Sequence, residues 1–306
     1  MISNPPYLSS GDTVVLIAPA RSVSTEDIQH FRTWVESQGW YLECAPNMFA
    51  TQDQFAGNDQ QRGSDLCWAL SHPTAKAIFT ARGGYGSMRT LEALSSIVGS
   101  SDTWIQQQSP KWFVGFSDMT TLHLWLRKNN WASIHGPVAT QWGLKHALIE
   151  QNIGDLASVL KGNEWHLNVN ASQVVNPTPF RGELVGGNLS LLYAALGTPL
   201  QPDTDNKILL IEDLDEYLYH IDRMIRSCNN AGLFSNLKAL IVGSMIDMKD
   251  NQIPFGKSCK DIIVDALANQ GFPILFDVEI GHDERNHAVK LGCDITFDLS
   301  KLAQKP

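Results

Sequence analysis

A serine stands at the corner where one predicted strand runs directly into a helix. Trp112 to Phe116 is an apolar, aromatic-rich run with a strand pattern, and apolar residues recur at helical spacing from Leu122 onward. Ser117 and Asp118 lie between the two. A sharp turn there exposes the Oγ atom of Ser117 beside the free N–H groups of a helix N-terminus. This geometry suits a nucleophile, with the Asp118 N–H group stabilising an oxyanion.

The same two residues also have a purely structural interpretation. Serine and aspartate are preferred N-cap residues, so Ser117 or Asp118 could simply begin the helix. The best-known nucleophile elbow has the pattern G-x-S-x-G, and Met119 occupies its last position here. This stretch alone therefore leaves both the nucleophile and the cap open.

A glycine-rich turn follows the predicted strand from Ala77 to Ala81. It consists of Arg82-Gly83-Gly84-Tyr85-Gly86, at the carboxyl end of a strand, where α/β folds place their sites. The Gly84 N–H group is a candidate oxyanion donor, and Arg82 is a candidate substrate-binding cation. An ordinary turn that needs positive φ and a nucleotide-binding loop are the alternatives. The dinucleotide fingerprint fails because Arg89 replaces its third glycine.

Four carboxylates follow the apolar predicted strand from Lys207 to Ile211. Asp215 and Glu216 fit acids that compensate the dipole in the first turn of a helix. Glu212 directly follows the buried strand, where it could orient a histidine, and Glu216 is the second candidate for that acid. A Mg²⁺ site is the alternative, because hard cations take carboxylate oxygens.

His282 follows a glycine after the short predicted strand from Ile274 to Phe276. Histidine is the usual general base near neutral pH. A surface loop residue is one alternative, and a zinc site with Asp283 and His287 is another. The familiar H-E-x-x-H spacing does not occur, so we predict neither a metal nor another cofactor.

Two further residues at or near strand ends are candidates for contacting a substrate. His135 precedes Gly136-Pro137 at the end of a predicted strand, and Asn188 stands before a predicted helix. Together with Arg82 they form the predicted substrate-binding set. Arg285 is a further candidate cation whose role the sequence leaves open.

The alternation of strands and helices predicts an α/β fold with a parallel sheet covered by helices. We expect an N-terminal α/β domain over residues 1–140 that carries the nucleophile elbow. Periodicity fades over residues 141–180, which we interpret as a linker, and patterning resumes in a C-terminal domain over residues 181–306 with the acid and the base.

Composition restricts the class of protein. The 306 residues carry a formal net charge of −9 and a pI near 5.4, which argues against a nucleic-acid surface and against binding to anionic lipid.

The five cysteines are scattered without a CxxC motif, which favours a reducing compartment. The apolar run from Val14 to Ala18 fits a buried first strand better than a signal peptide. We therefore predict a cytoplasmic protein.

Six sequence blocks, in the order in which they occur, resemble the L,D-carboxypeptidase family of serine peptidases. The resemblance extends from Gly11 to Asp298 and rests on ARGGYG, KWFVGFSD, IHGP, GELVGGNLSLL, ILLIEDLDE and the later IGH. It implies a triad of Ser117, Glu212 and His282, with an oxyanion hole from the N–H groups of Gly84 and Asp118. It also implies two α/β lobes with the active site between them, commonly in a homodimer.

The resemblance also indicates two substrate classes. The block FAGNDQQRGSDLCWAL resembles the muropeptide enzymes, which implies release of D-Ala from cytoplasmic murein tetrapeptide in cell-wall recycling. The alternative is a microcin-C-type immunity peptidase that hydrolyses an aminoacyl-nucleotide amide. Lys290 stands where the family often has proline, which bears on substrate preference.

Overall fold

A computed structural model of the chain describes residues 2–145, 147–163 and 173–298. The regular elements before residue 164 are β1 (Thr13–Ile17), α1 (Gln29–Ser37), β2 (Tyr41–Cys44), α2 (Asp59–Ser71), β3 (Ala75–Thr80), α3 (Ser87–Val98), α4 (Ser101–Ile105), β4 (Trp112–Gly115), α5 (Thr120–Lys128), β5 (Ser133–His135) and α6 (Ile149–Leu160). Those after residue 172 are β6 (Val174–Val175), β7 (Phe180–Asn188), α7 (Leu189–Ala194), β8 (Ile208–Leu214), α8 (Leu218–Asn230), β9 (Ala239–Ile246), α9 (Cys259–Ala266), β10 (Ile274–Leu275), β11 (Val289–Leu291) and β12 (Asp294–Phe297).

The chain divides into two compact units. The first comprises Met1–Glu164 and His287–Lys290, and the second comprises Trp165–Asn286 and Leu291–Pro306. The short return of residues 287–290 to the first unit brings β11 to the edge of its sheet. Helix α6 lies within the segment that the sequence predicted as a linker, and residues 146 and 164–172 of that segment lie outside the described residues. The predicted domain bounds therefore stay a prediction.

Over the described residues, the first unit has a six-stranded sheet in the order β11-β5-β4-β3-β1-β2. Strands β1 to β5 pair in parallel along this order. All four residues of β4 are buried, as expected for a strand covered on both faces. Because β4, β3 and β1 are neighbours, the turns that follow them emerge at one edge of the sheet. The turns after β3 and β4 carry the candidates Arg82, Gly84, Ser117 and Asp118, and His135 is the last residue of β5.

The second unit has its own six-stranded sheet, within the described residues, in the order β12-β7-β8-β9-β10-β6. The four central strands are parallel, whereas β12 and β6 run antiparallel at the edges. The apolar residues Ile208 to Ile211 of β8 are fully buried. The carboxyl-terminal part of β8 carries the candidate acid Glu212. The carboxyl-terminal part of β9 contacts the loop that leads to the candidate base His282.

The structure confirms the predicted α/β fold class, with two sheets and flanking helices. Strand β8 extends beyond its predicted end at Ile211, through Glu212 to Leu214. A shift in register between Ile211 and Asp213 accompanies this extension. Polar residues in the middle of a buried strand interrupt the apolar run from which the strand end was predicted.

None of the described helices is both long and apolar enough to cross a membrane. The five cysteines are all free thiols.

Candidate active site

The backbone of Ser117 adopts a conformation that is unusual for its residue type. Its φ is +64°, and every other non-glycine residue with positive φ in the described ranges is Asn or Asp, which tolerate this region best. Ser117 begins a 3-10 turn that joins β4 to α5. The positions that cap this turn and helix are Phe116 and Met119, and neither makes a side-chain capping bond. The conformation therefore favours the elbow over the N-cap interpretation, since strained backbone clusters at functional sites.

The glycine-rich turn packs directly against this elbow. A Cβ atom added to Gly83 would lie 3.2 Å from Ser117 Cβ and 3.4 Å from Ser117 Oγ. The separation of 3.2 Å is tighter than nine in ten real contacts of a Cβ atom. Glycine at position 83 thus permits the loop after β3 to approach the serine closely.

The carboxylate of Asp118 fixes the elbow to the start of α3. Asp118 Oδ2 accepts a hydrogen bond from the Ser87 N–H group at 2.8 Å, and Ser87 Oγ donates to the Asp118 carbonyl at 2.6 Å. Burial raises the pKa of Asp118, while the bonds from Ser87 oppose that rise. The side chain of Asp118 therefore positions the backbone. The assignment of its N–H group, and of that of Gly84, to an oxyanion hole stays a prediction.

A buried histidine supports the strand that leads into the elbow. His123 on α5 is 1% exposed, and its ring nitrogens lie 2.8 Å from Ser133 Oγ and 2.8 Å from the Gly115 carbonyl. A neutral ring satisfies both contacts when Nε2–H donates to Gly115 and Nδ1 accepts from Ser133. Burial lowers the pKa of His123 to about 3. The imidazole therefore holds the last residue of β4 and stays neutral at physiological pH.

We expect the stability of this fold to fall on acidification through His123. The unfolded chain takes up the proton near pH 6.5 and the folded chain only near pH 3, so each step downward from pH 6.5 favours the unfolded state. His123→Leu removes this linkage but leaves Ser133 and Gly115 without their partner, and should destabilise the protein by about 2–4 kcal/mol at pH 7. The difference from the parent should shrink by about 2 kcal/mol at pH 5. Urea unfolding at both pH values measures it, and a difference independent of pH would contradict the assignment.

In the second unit, a buried carboxylate is paired with the candidate base. Glu212 is 0% exposed, and its Oε2 atom lies 2.6 Å from His282 Nδ1. The side chain of His282 is 12% exposed. A carboxylate on Nδ1 fixes the ring orientation and the tautomer in which Nδ1 carries the proton, which leaves Nε2 as the proton acceptor.

The loop that carries His282 is held from both sides. The His282 N–H group donates to Ser244 Oγ at 2.7 Å, and the Ser244 N–H group donates to the Ile280 carbonyl at 2.8 Å. The Gly281 N–H group donates to Asn286 Oδ1 at 3.0 Å. These bonds anchor the loop to the end of β9, so the imidazole is positioned by the backbone as well as by Glu212.

Asn188 lies beside the second carboxylate of β8. Its Nδ2 donates to Asp213 Oδ1 at 2.9 Å, and its Oδ1 accepts the N–H group of Leu191 at 3.3 Å as the N-cap of α7. Burial, together with repulsion from Glu212, raises the pKa of Asp213 to about 6. Asn188 is 2% exposed, so its amide is used in the fold, and its role toward a substrate stays a prediction.

The remaining predicted residues fall in different environments. Arg82 is exposed at the start of the glycine turn. His135 is 0% exposed, and its ring packs against those of Phe116 and His123. Such packing is typical of a residue that supports the fold. Arg285 lies 3.5 Å from Glu279. Substrate binding by Arg82 and His135 stays a prediction, and the burial of His135 favours an indirect role.

Two of the open alternatives can be compared with the contacts in the second unit. Glu216 pairs with His220 at 2.6 Å, so the two candidate acids have different histidine partners. Over the described parts of the chain, no group of three or more His, Cys, Asp or Glu side chains is placed to hold a metal ion. Sequence reasoning missed His123, because no sequence signal distinguishes a buried polar residue of a helix from an exposed one.

Two family models match this chain, one in each half. Residues 14–136 match the model of the LD-carboxypeptidase N-terminal domain, and residues 181–297 match that of the LD-carboxypeptidase C-terminal domain. A Bacillus subtilis relative named "Probable murein peptide carboxypeptidase" is 31% identical over 97% of this chain and 92% of its own length. The murein tetrapeptide carboxypeptidase of Pseudomonas aeruginosa is 28% identical over 94% of each chain.

Solved structures share the fold at lower identity. The muramoyltetrapeptide carboxypeptidase of Oxalobacter formigenes has a TM-score of 0.79 and 24% identity, and the match covers 93% of this chain and 94% of that one. The microcin C7 self-immunity protein MccF, in complex with aspartyl sulfamoyl adenosine, has a TM-score of 0.83 and 18% identity, over 99% and 97% of the two chains.

Proposed function

This chain belongs to the LD-carboxypeptidase family and is a carboxypeptidase, and we propose that it is a serine enzyme that releases D-Ala from murein tetrapeptide. The family models and the 31% identical relative establish the membership. The names of the relatives from Bacillus subtilis and Pseudomonas aeruginosa support a murein peptide as the substrate class. The hydrolysed bond in this proposal joins an L-centre to the terminal D-amino acid, and the reaction belongs to cytoplasmic recycling of the cell wall.

The observation that carries the proposal is the contact between Glu212 and His282. A fully buried carboxylate is costly unless it has a partner, and Glu212 has one in His282, whose Nδ1 lies 2.6 Å from Oε2. The pair gives the imidazole a fixed tautomer and stabilises it when it is protonated. Ser117, at the strained turn of the first unit, is the nucleophile that such a base would serve.

In the proposed reaction, His282 relays one proton during acylation and a second proton during deacylation. Nε2 of His282 takes the proton of Ser117 Oγ as the oxygen attacks the carbonyl carbon before the terminal D-Ala. The N–H groups of Gly84 and Asp118 bind the oxyanion, and each such donor contributes roughly 3–4 kcal/mol in other acyl-transfer enzymes. The protonated His282 then gives its proton to the departing amine. A water molecule then gives a proton to the same imidazole and attacks the acyl carbon, and His282 returns that proton to Ser117 Oγ as the ester bond breaks.

Mass analysis of products tests the substrate class. The purified protein is incubated with murein tetrapeptide, with the same peptide ending in L-Ala, and with a processed aminoacyl-nucleotide. We expect D-Ala to be released from the first and no cleavage of the other two. Cleavage of the aminoacyl-nucleotide alone would instead support the microcin-C-type function, which the fold shared with MccF favours as the second candidate.

We also propose the homodimer that the family resemblance implies. Light scattering coupled to size exclusion measures its mass directly. A single species near the 33.9 kDa of one chain would contradict it.

A further inference from the structure

An arginine that the sequence analysis did not single out lies against the glycine turn of the first unit. Arg21 follows the end of β1, which is the neighbour of β3 in the sheet. A Cβ atom added to Gly84 would lie 2.6 Å from Arg21 Cδ and 2.7 Å from Arg21 Nε. The stem of Arg21 therefore lies across Gly84, whose φ of +107° also requires glycine.

The backbone around Arg21 is fixed to a neighbouring segment. The Ser22 N–H group donates to the Gln54 carbonyl at 3.1 Å, and the Ala56 N–H group donates to the Ala20 carbonyl at 3.0 Å. These bonds form a short antiparallel bridge between Arg21 and Phe55. The side chain of Arg21 is nevertheless exposed. Arg21 thus presents a cation on a pinned backbone, which lowers the entropy lost when it binds a ligand.

The two other arginines at Phe55 already share an anionic partner within the protein. Arg62 and Arg89 both lie over the Phe55 ring, and both pair with Asp59. In contrast, the guanidinium of Arg21 has neither an ion pair nor a hydrogen bond to any residue in the described part of the chain. It is available for an anion that comes from outside the protein.

We propose that Arg21 binds the terminal carboxylate of the substrate and so makes the enzyme select the last peptide bond. The inference rests on the proposed function, in which Ser117 attacks that bond and the Gly84 N–H group holds the oxyanion. Only the amide nitrogen and one Cα atom separate the terminal carboxylate carbon from the attacked carbonyl carbon. A guanidinium whose stem lies across Gly84 is therefore close enough, and its planar fork matches a carboxylate in two hydrogen bonds.

Binding to an inactive background tests this role without turnover. The dissociation constants of murein tetrapeptide and of its C-terminal carboxamide are measured by calorimetry on Ser117→Ala and on Ser117→Ala combined with Arg21→Gln. We expect Arg21→Gln to weaken binding of the acid about 30-fold, as for loss of a charged hydrogen-bond pair, and binding of the amide less than about threefold. Arg21→Lys should retain part of the preference. Arg226→Gln, at an exposed arginine already paired with Asp222, is the matched control.

Different outcomes separate this inference from the function on which it rests. Equal weakening of acid and amide, or an unchanged preference for the acid, would refute the role of Arg21. The role of Arg21 would also be refuted if Arg82→Gln abolished the preference for the acid and Arg21→Gln did not. Labelling by a fluorophosphonate reports on Ser117 independently. If the parent and Arg21→Gln proteins are both labelled but the preference for the acid is unchanged, the role of Arg21 fails and the serine mechanism stands. If the parent is not labelled, both proposals fail.

Discussion

Ser117→Ala should lower kcat/KM for D-Ala release by about 10,000-fold or more, because it removes the atom that forms the acyl-enzyme. The effect should lie in kcat, since the hydroxyl contributes little to binding of the peptide. Fluorophosphonate labelling should disappear in parallel. D-Ala release measured with a coupled oxidase gives the rate, and peptide mapping locates the label.

The strained backbone at Ser117 provides an independent check on the same residue. Ser117 sits at φ +64°, a region that costs roughly 1–2 kcal/mol for a residue with a Cβ atom. Ser117→Gly should therefore be about 1 kcal/mol more stable than the parent, because glycine relieves the strain. Ser117→Ala keeps the strain, and both variants should be equally inactive. The free energy of unfolding in urea distinguishes the two variants.

A matched serine controls for the loss of a hydroxyl as such. Ser96 on the exposed face of α3 donates to the Glu92 carbonyl at 3.1 Å and lies outside the proposed machinery. Ser96→Ala should retain full turnover and labelling. Residual activity of Ser117→Ala within about tenfold of the parent would show that another residue is the nucleophile.

The elbow could be predicted from sequence because its signal is local. An apolar strand, the run Gly115 to Asp118 and a helix with apolar spacing follow one another within about twenty residues, and the structure places β4, the turn and α5 there. Parallel strands then bring separate strand ends to one edge of each sheet. The pairing of Glu212 with His282 joins residues that are 70 positions apart, and only the family resemblance predicted it.

Other features have no local signal. His123 and Arg62 are polar residues that the fold buries, and periodicity treats them as surface positions. The two-residue strand β6 is shorter than any repeat that could identify it. Arg21 matters because the turn after β3 lies beside it, a tertiary contact with a glycine that carries no side-chain pattern. What the sequence missed is thus the packing that supports the site.

Glu212→Gln should lower kcat by about 1,000- to 10,000-fold with little change in KM, because the amide keeps the shape but cannot stabilise a protonated imidazole. The NH₂ group can also face Nδ1 as a donor, which selects the wrong tautomer. Glu212 is 0% exposed, so the neutral amide removes a buried charge, and we do not expect unfolding. His282→Ala should lose at least as much activity, whereas Asp283→Ala, at an exposed neighbour, should lose little.

Glu216→Gln is the matched comparison for the acid. Glu216 also lies 2.6 Å from a histidine Nδ1, that of His220, so both substitutions break a carboxylate–imidazole pair of the same length. If the base is His282, only the substitution at Glu212 should affect turnover by more than about threefold, since an orienting carboxylate acts through the histidine that it contacts. A larger loss in Glu216→Gln would instead assign the acid to Glu216 and the base to His220. Steady-state kinetics of the two variants side by side therefore decides which of the two pairs does the chemistry.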